Sequence, residues 1–419
     1  MVWWTVHLRR NPTPAVPALH LRFAAILAFI LISVGASAQN QFKLLYGFRG
    51  GDDGADVTDK VVLDAQGNIY GITAFGGTDG VGIVFELTPE PNNQWNKTTL
   101  YSFQKNGPSS PYGGVVLAPT GGLYGTTQFG GTYHRGTIFE VAPNRGDSNF
   151  TVLYSFGAPG DNAGGPWDSL LVDASGNLFG TGGDVFELSP FTGAWFETTI
   201  VDFNGENGFF PQAGLVTDAA GNLYGATTNG GGSPKCVNFG CGTIYELIPV
   251  FDGPHGVWYE RVLHAFGFVQ DDGIEPGLGN LAIDAGGHIY GTTRGGGTNG
   301  AGMIFKLTPS AIGRWEESVI YNFTGSADGD GPTGGVTLGP DGILYGTTIA
   351  GGGRCGCGLI YKLSPGPDGQ WQYTVLHTFQ GFDGDEPDAN LTIDSQGNLY
   401  GTTLTGGPGG AGVVFELTP

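Results

Sequence analysis

The sequence predicts an all-β fold, a seven-bladed β-propeller of four-stranded blades. One motif containing the letters LYG or a close variant occurs seven times, at spacings of 45 to 66 residues. Each copy carries four strand-like segments, and such a repeat is typical of propellers, whose small sheets must stack to bury their faces. The aromatic residues of the motif mark the copies: Tyr70, Tyr124, Phe179, Tyr224, Tyr290, Tyr345 and Tyr400.

Composition agrees with a folded, strand-rich chain. The 419 residues include 79 Gly and 25 Pro, a content that indicates disorder when it has no period. Hydrophobic residues make up 40% of the chain and aromatic residues 12%, which is too many for a disordered protein. The glycines also recur with the repeat, so they are interpreted as turns between short strands.

The first 38 residues differ from the rest and resemble a secretory signal. They contain three arginines and no acid, then the apolar run FAAILAFILISVGA, then the small-residue pattern Ala36-Ser37-Ala38. Cleavage after Ala38 would leave a single propeller domain at 39–419, secreted or periplasmic, with no later apolar stretch of that length to span a membrane. The alternative is a signal retained as an anchor.

Each copy reads as the same four strands in order. The first strand, such as VVLD or LTID, meets the second, LYGTT, through a D-x-x-G-N turn, for example Asp64–Asn68 and Asp394–Asn398. The third strand, GTIFELTP, follows a Gly-rich loop, and its β-branched and aromatic residues suit a half-buried sheet. The fourth strand resembles TVLYSF and often starts at a tryptophan that we expect to pack between blades: Trp95, Trp195, Trp258, Trp315 and Trp371.

The last copy ends at Pro419 with three strands and lacks the fourth. The segment QFKLLYGF at 41–48 precedes the first copy and matches TVLYSF at 151–156. We therefore expect the N-terminal strand to complete the seventh blade, which closes the ring and leaves no free strand edge.

The loops after strands two and four are expected on one face of the ring, and they carry nearly all the variation between copies, so a ligand site is predicted there. The loop after strand four carries a D-G-x-x-P motif. Its acids could form a rim that holds Ca²⁺ or a cationic ligand, or they could cap their own turns. They are Asp53, Asp272, Asp328, Asp330, Asp383 and Asp385.

The loop after strand two differs most between copies. It places His134 and Arg135 in copy two, Arg294 in copy five and Arg354 in copy six. Copy three has almost no loop and copy four has the enlarged loop NGGGSPKCVNFGC, so we expect that insertion to lean over a notch above blade three. An asymmetric rim of this kind favours a ligand site.

The four cysteines lie in these same loops. In an exported chain the short separations predict two local disulfides, Cys236–Cys241 and Cys355–Cys357. The alternative, a four-thiolate zinc site, would need loops of non-adjacent blades to meet over the channel. No metal site is predicted, and no cofactor other than the Ca²⁺ considered above.

No hydrolase, metalloprotease or nucleotide-binding motif occurs, and His134 with Arg135 is the single His-containing candidate for catalysis. Without residues 1–38 the chain has 14 basic and 38 acidic residues, a net charge of −24, which argues against nucleic acid as a partner. The leading hypothesis is an exported, non-enzymatic monomer that binds a glycan or a protein. The alternatives are a secreted polysaccharide hydrolase or lyase that uses channel-mouth carboxylates, and a structural protein of the cell envelope.

The repeat, in forms such as LYGTTQFGG…GTIFEVAP…TVLYSF, resembles the tandem repeat of the "choice-of-anchor tandem repeat GloVer-containing" family of exported bacterial proteins. The resemblance covers nearly all of 41–419. It departs in copy three, which lacks the Gly-Gly loop, and in copy four, which has the insertion. The resemblance implies an exported propeller without assigned catalytic residues.

Overall fold

The computed structural model describes residues 1–2, 40–118, 121–143, 150–159, 164–236, 240–250 and 257–419. Residues from Asn40 to Pro419 form one compact unit. The predicted signal at 1–38 lies, apart from its first two residues, outside the described part, so its cleavage and the domain boundary stay predictions.

The described residues form thirty strands, three short 3-10 helices and no α-helix. The 3-10 helices are Gly51–Asp53, Pro91–Asn93 and Pro340–Gly342. The strands are β1 (Gln41–Gly47), β2 (Val62–Leu63), β3 (Ile69–Thr73), β4 (Ile83–Glu90), β5 (Gln94–Ser102), β6 (Val116–Leu117), β7 (Leu123–Thr127), β8 (Thr137–Val141), β9 (Phe150–Ser155), β10 (Leu171–Val172), β11 (Leu178–Thr181), β12 (Val185–Phe191), β13 (Ala194–Val201), β14 (Val216–Thr217), β15 (Leu223–Thr227), β16 (Thr243–Val250), β17 (Val257–Ala265), β18 (Gly273–Ile274), β19 (Ala282–Ile283), β20 (Ile289–Thr293), β21 (Gly295–Gly296), β22 (Met303–Pro309), β23 (Trp315–Asn322), β24 (Val336–Leu338), β25 (Leu344–Thr348), β26 (Leu359–Pro365), β27 (Trp371–Thr378), β28 (Thr392–Ile393), β29 (Leu399–Thr403) and β30 (Val413–Thr418).

These strands form seven antiparallel four-stranded sheets, which confirms the predicted seven-bladed propeller. Blades one to four are β2–β5, β6–β9, β10–β13 and β14–β17, blade five is β19-β20-β22-β23, and blade six is β24–β27. Blade seven has the order β1-β30-β29-β28, so the N-terminal strand is its outermost strand. Gln41 pairs with Thr418 and Gly47 with Val413, which confirms the predicted closure of the ring.

The blades are joined by seven equivalent aromatic pairs. The Phe that follows each outermost strand is almost fully buried and lies against an aromatic ring on the third strand of the next blade, with ring centroids 4.9–5.5 Å apart. Aromatic pairs at this separation add to the stabilisation from burial. The pairs are Phe48–Phe85, Phe103–Phe139, Phe156–Phe186, Phe203–Tyr245, Phe266–Phe305, Phe323–Tyr361 and Phe379–Phe415.

The glycine of the LYG motif makes room for these rings. A Cβ atom on Gly71 would lie 2.6 Å from Cζ of Phe85, and one on Gly401 would lie 2.4 Å from Cζ of Phe415. The tryptophans are predicted to pack between blades. Trp195 does so, because its ring centroid lies 6.3 Å from that of Tyr124 in the preceding blade. Most residues that recur in the repeat therefore lie at the interfaces between blades.

The two variable loops lie on the same face, as predicted. In blade five the loop that leads into the first strand (β18) pairs with the loop after the second strand (β21). Single β-bridges make the same connection elsewhere, for example Ala55 with Phe75 and Asp385 with Thr405. We call this side the loop face and the side with the D-x-x-G-N turns the hairpin face.

Candidate functional site

On the loop face, the same turn occurs in every blade just before the chain reaches the mouth of the central channel. The residue before the Pro of each D-G-x-x-P loop, or its equivalent, has a φ of 55–61°, in the left-handed region that L-residues rarely adopt. The three residues that follow the Pro, or its equivalent, then lie just before the innermost strand. The seven left-handed residues are Asp56, Ser110, Gly165, Phe210, Glu275, Gly331 and Glu386.

Three carboxylates lie at this mouth, in a cavity of about 300 Å³ that Tyr112 and Trp167 also line: Asp59, Asp168 and Asp388. The Gly214 N–H donates to Oδ2 of Asp168 at 2.8 Å, and the Gly114 N–H donates to Oδ2 of Asp59 at 2.6 Å. Both contacts link neighbouring inner strands. Asp59 and Asp168 therefore link neighbouring blades of the propeller and also line the cavity.

The electrostatics of the mouth raise the pKa of two of these acids, Asp168 and Asp388. Burial and the charge of Asp59 together raise the pKa of Asp168 to about 7, against the opposing effects of the Lys60 cation and the backbone hydrogen bonds from Ser169 and Gly214. Burial also raises the pKa of Asp388, although the nearby Arg294 guanidinium acts against this. A cavity with an acid that titrates near neutrality can hold a polar, hydroxyl-rich ligand and can also donate a proton.

A second cavity of about 310 Å³ continues from the mouth across blade three. Its floor is the short Gly182-Gly183 loop, and its sides carry Phe129, His134, Arg135 and Phe210. We call it the blade-three cleft. Trp167 lines both cavities and is 39% exposed, so one aromatic side chain connects them.

The cleft occupies the place where the sequence predicts a notch. Among the described residues that line it, His134 and Arg135 belong to the loop of blade two, and the expected lean of the blade-four insertion over the notch stays a prediction. Part of the insertion, 237–239, lies outside the described residues. His134 and Arg135 line this cleft, and their role in ligand binding stays a prediction.

The other predicted rim residues are not brought together at the mouth. Asp53, Asp272, Asp328 and Asp383 accept hydrogen bonds from N–H groups of their own turns: Arg49, Gly267, Thr324 and Gln380. This is the turn-capping alternative, and it places these acids between outer strands of neighbouring blades. Their predicted role in ligand binding is untested.

The remaining predicted residues are spread over the loop face. Asp330 and Asp385 bridge to Ala350 and Thr405 through backbone groups. Arg294 is exposed with Nη1 3.5 Å from Oε2 of Glu275, and Arg354 is also exposed. Asn162, a weaker version of the motif's Asp, lies outside the described residues.

Both predicted disulfides are present, Cys236–Cys241 in blade four and Cys355–Cys357 in blade six, and no described cysteine is free. Cys241 is buried against Leu263 and Phe266, so the first bridge fastens the blade-four insertion to the outer strand of the same blade.

A further cavity, of about 410 Å³, lies on the hairpin face between blades three and four. Trp258 and Phe179 line it with Asp173 and Asn177. The Asn177 side chain and N–H both donate to the Asp173 carboxylate, so these polar groups are occupied by their own turn.

Sequence reasoning missed Asp59, Asp168, Asp388 and Trp167. Asp59 and Asp168 stand two residues after the Pro or its equivalent, at a position that carries Gly or Ala in most other copies, such as Gly113 and Ala213. Trp167 and Asp388 stand one residue earlier, at a position that varies between copies. A comparison of copies at the residues just after the Pro would have marked Asp59 and Asp168 as exceptions, but it would not have shown that they lie close to Asp388 and Trp167. The ligand site is predicted instead at the repeated Asp residues of the D-G-x-x-P motif, because a residue that recurs in most copies is easier to recognise than one that differs in a single copy.

The fold and this loop-face site define the class of protein: a closed seven-bladed propeller whose variation is concentrated on one face. The model of the Gloeobacter/Verrucomicrobia repeat family matches residues 58–279 and 235–419, and the chain belongs to this family. The resemblance drawn from the repeat is thereby confirmed.

Solved structures agree on the fold. The extracellular domain of a hybrid two-component system from B. thetaiotaomicron is similar over 90% of this chain and 41% of that chain, with 12% identity and a TM-score of 0.52. A fungal alcohol oxidase in complex with copper is similar over 91% and 76%, with 14% identity and a TM-score of 0.54. A protein assigned as a 6-phosphogluconolactonase from Bacteroides uniformis is similar over 80% and 88%, with 16% identity and a TM-score of 0.51.

At these identities the similarity shows the fold alone. The chain spans about two fifths of the length of the B. thetaiotaomicron domain. No curated protein is significantly similar to the chain. Within the described residues, no helix is long and apolar enough to cross a bilayer.

Proposed function

We propose that the protein is an exported, non-enzymatic propeller that binds a polysaccharide chain in the channel mouth and the blade-three cleft. The observation that carries this proposal is the shared wall formed by Trp167, which joins the two cavities into one path. Export is supported by the two disulfides and by the signal-like residues 1–38.

The chemistry of the path suits a sugar polymer. A sugar ring has an apolar C–H face that packs on an aromatic side chain and a rim of hydroxyl groups that need polar partners. Exposed Phe129 and Phe210 lie along the cleft beyond Trp167. Asp59, Gln212 and Asn390 supply acceptors and donors at the mouth.

The length of the path favours a chain over a single sugar. A third cavity of about 480 Å³ shares Phe129 and His134 with the cleft and extends toward Lys105 and Asn106 of the blade-two entry loop. The cavities thus follow one another from the channel outward across blades three and two. A linear ligand can contact all of them, whereas a small molecule would fill one.

The test is affinity electrophoresis of the full-length protein against a panel of soluble plant, algal and bacterial polysaccharides. We expect retardation by at least one polymer, and we expect Trp167→Ala to weaken that binding by about 10- to 100-fold, the size of effect seen for central aromatic contacts. Phe191→Ala removes a more exposed aromatic side chain from the hairpin face, and it should leave binding unchanged. No retardation by any polymer, or equal binding by wild type and Trp167→Ala, would contradict the proposal.

A second function, polysaccharide cleavage, is favoured by one observation, the raised pKa of Asp168. An acid with a pKa of about 7 beside a second carboxylate, Asp59, is the arrangement that glycoside hydrolysis requires of its proton donor. The protonated form of Asp168 would be the active one, so activity would fall as pH rises through 7.

The cleavage test scores new chain ends in the same panel between pH 5 and 9. New ends that disappear above pH 7 and are abolished in Asp168→Asn would establish this second function and replace the non-enzymatic one. If binding is present without new ends at any pH, the non-enzymatic proposal is supported.

A further inference from the structure

We infer that a divalent transition-metal ion binds between blades four and five, held by His264, Asp272 and Glu317. These residues come from three separate segments: the outer strand β17, the loop that follows it, and the outer strand β23. One side-chain ligand atom from each lies within 4.8 Å of the other two. The inference is independent of the polysaccharide site, which lies at the channel.

The geometry suits a small divalent ion. Nε2 of His264 and Oε2 of Glu317 are 3.6 Å apart, too far for a hydrogen bond. Two ligands of a tetrahedral zinc ion, each about 2.1 Å from the metal, are separated by roughly 3.4 Å. One imidazole nitrogen with two carboxylate oxygens is a donor set that zinc accepts, with a water as the fourth ligand.

Two buried atoms of the cluster lack partners, and this is the second line of evidence. Nε2 of His264 and Oε1 of Glu317 are inaccessible to solvent and accept or donate no hydrogen bond among the described residues. Buried polar atoms are normally paired, and each unpaired one is costly. A cation between the three side chains would satisfy them together.

The space between the outer strands of neighbouring blades, which His264, Asp272 and Glu317 occupy between blades four and five, contains other side chains at the other interfaces. We call this space the niche. The equivalent residues between blades seven and one are Tyr46, Asp53 and Lys97, and Nζ of Lys97 lies 3.1 Å from Oδ1 of Asp53. The protein therefore places its own cation in this niche at one interface. Between blades four and five, Glu317 stands where the lysine would be, and the cluster formed there by the described residues contains two carboxylates and one imidazole.

At other interfaces the niche is closed in other ways. Tyr321 stacks on Tyr373 between blades five and six, with ring centroids 4.2 Å apart. Between blades six and seven, Phe42 stacks on His377, whose Nε2 is 3.0 Å from Oδ2 of Asp383. Among the interfaces whose loops are fully described, the set of one imidazole and two carboxylates occurs between blades four and five alone.

The surroundings hold the middle ligand in place. The Gly267 N–H donates to Oδ2 of Asp272 at 2.6 Å, and the Gly273 N–H donates to Oδ1 at 2.9 Å. Ser233, in the blade-four insertion, donates through Oγ to the Gly267 carbonyl at 2.7 Å. The insertion that the Cys236–Cys241 disulfide closes thus fixes the turn that carries Asp272, as outer contacts commonly orient metal ligands.

The experiment measures Zn²⁺ bound to the full-length protein, purified without a histidine tag, kept oxidised, stripped with chelator and freed of it. Calorimetric titration with Zn²⁺ should give one site per chain, and mass spectrometry of the desalted protein should give one zinc. We expect Glu317→Gln to lower the affinity by about 100-fold or more. Zn²⁺ at a concentration that saturates wild type should raise the melting temperature of wild type and leave that of Glu317→Gln unchanged.

Asp383→Asn is the matched control, because it changes the same loop position at an interface where Asp383 pairs with His377 and the described residues form no group of three metal-ligating side chains. It should leave Zn²⁺ affinity unchanged. The inference is overturned if wild type retains no zinc, if Glu317→Gln binds as tightly as wild type, or if Asp383→Asn removes the binding. Binding of Ca²⁺ in place of Zn²⁺ would overturn the choice of a transition metal.

Discussion

The interface between blades seven and one and the interface between blades four and five occupy the same positions of the repeat and differ in charge. In the first, Lys97 and the Tyr46 hydroxyl both donate to Oδ1 of Asp53, at 3.1 and 2.8 Å. The second has Glu317 opposite Asp272 and His264 and leaves buried atoms unpaired. Both keep the same aromatic pair beneath the polar niche, Phe48–Phe85 and Phe266–Phe305.

The difference shows which part of an interface holds the ring and which part is free to vary. The aromatic pair recurs at all seven interfaces and is insulated from solvent, so it supplies stability everywhere. The niche above it can hold a lysine, a stacked ring or a set of metal ligands without a change in the blades. A binding site that occurs at only one interface should therefore be sought among the niche residues and not among the shared aromatic pairs.

The largest expected effect comes from removal of the shared aromatic pair. Phe48→Ala and Phe266→Ala each delete a fully buried ring, and each should lower the free energy of unfolding by about 3–5 kcal/mol. Equilibrium urea denaturation measures both. A much smaller cost for Phe48→Ala would mean that strand β1 detaches before the ring unfolds, and the closure would then contribute little.

Loss of the cation in the niche should be the next largest effect. Lys97→Met leaves the Asp53 carboxylate half-buried without its ion pair, and we expect a cost of about 2–3 kcal/mol. Lys43→Met breaks the more exposed pair with Glu416 on the neighbouring strands and should cost about 1 kcal/mol or less. Equal costs for the two lysines would show that the niche of blades seven and one is not a special environment.

Much of the fold could be predicted from the sequence because its determinants are local and repeated. The D-x-x-G-N turn is fixed within five residues, as the Asp64 carboxylate accepts from the N–H groups of Gln66 and Asn68. The missing strand of the last copy was visible because residues 41–48 match the others, although β1 ends at Gly47 and Phe48 serves as its buried anchor.

The sites could not be predicted in the same way because their members are distant in sequence. His264 and Glu317 are brought together by the stacking of two blades, and neither residue is unusual within its own copy. Asp59, Asp168 and Asp388 come from three blades and meet at the channel mouth. Such clusters depend on the angle between neighbouring sheets, and a linear comparison of repeats does not contain that angle.

A single substitution should convert one interface into the other. Glu317→Lys places an ammonium group beside Asp272, as Lys97 lies beside Asp53, and it should raise the stability of the metal-free protein by about 1 kcal/mol. It should also abolish Zn²⁺ binding. Glu316→Lys makes the same charge change at the exposed neighbouring position and should alter stability by about 0.5 kcal/mol or less. A loss of stability in Glu317→Lys without metal would mean that the two niches differ in shape as well as in charge.

The smallest expected effect concerns the ring beneath the niche. The two compared interfaces have Phe85 and Phe305 at this position, whereas blade four has Tyr245, whose buried hydroxyl has no hydrogen-bond partner among the described residues. Tyr245→Phe removes only that hydroxyl, so stability should stay the same or rise by about 1 kcal/mol.

The matched change is Tyr224→Phe, which removes a hydroxyl that donates to Asp218 and Glu246 at 3.0 Å and should cost about 1–2 kcal/mol. If Tyr245→Phe proves as costly as Tyr224→Phe, the Tyr245 hydroxyl is bound to an ordered water. The aromatic layer would then vary from blade to blade in polarity as the niche above it does.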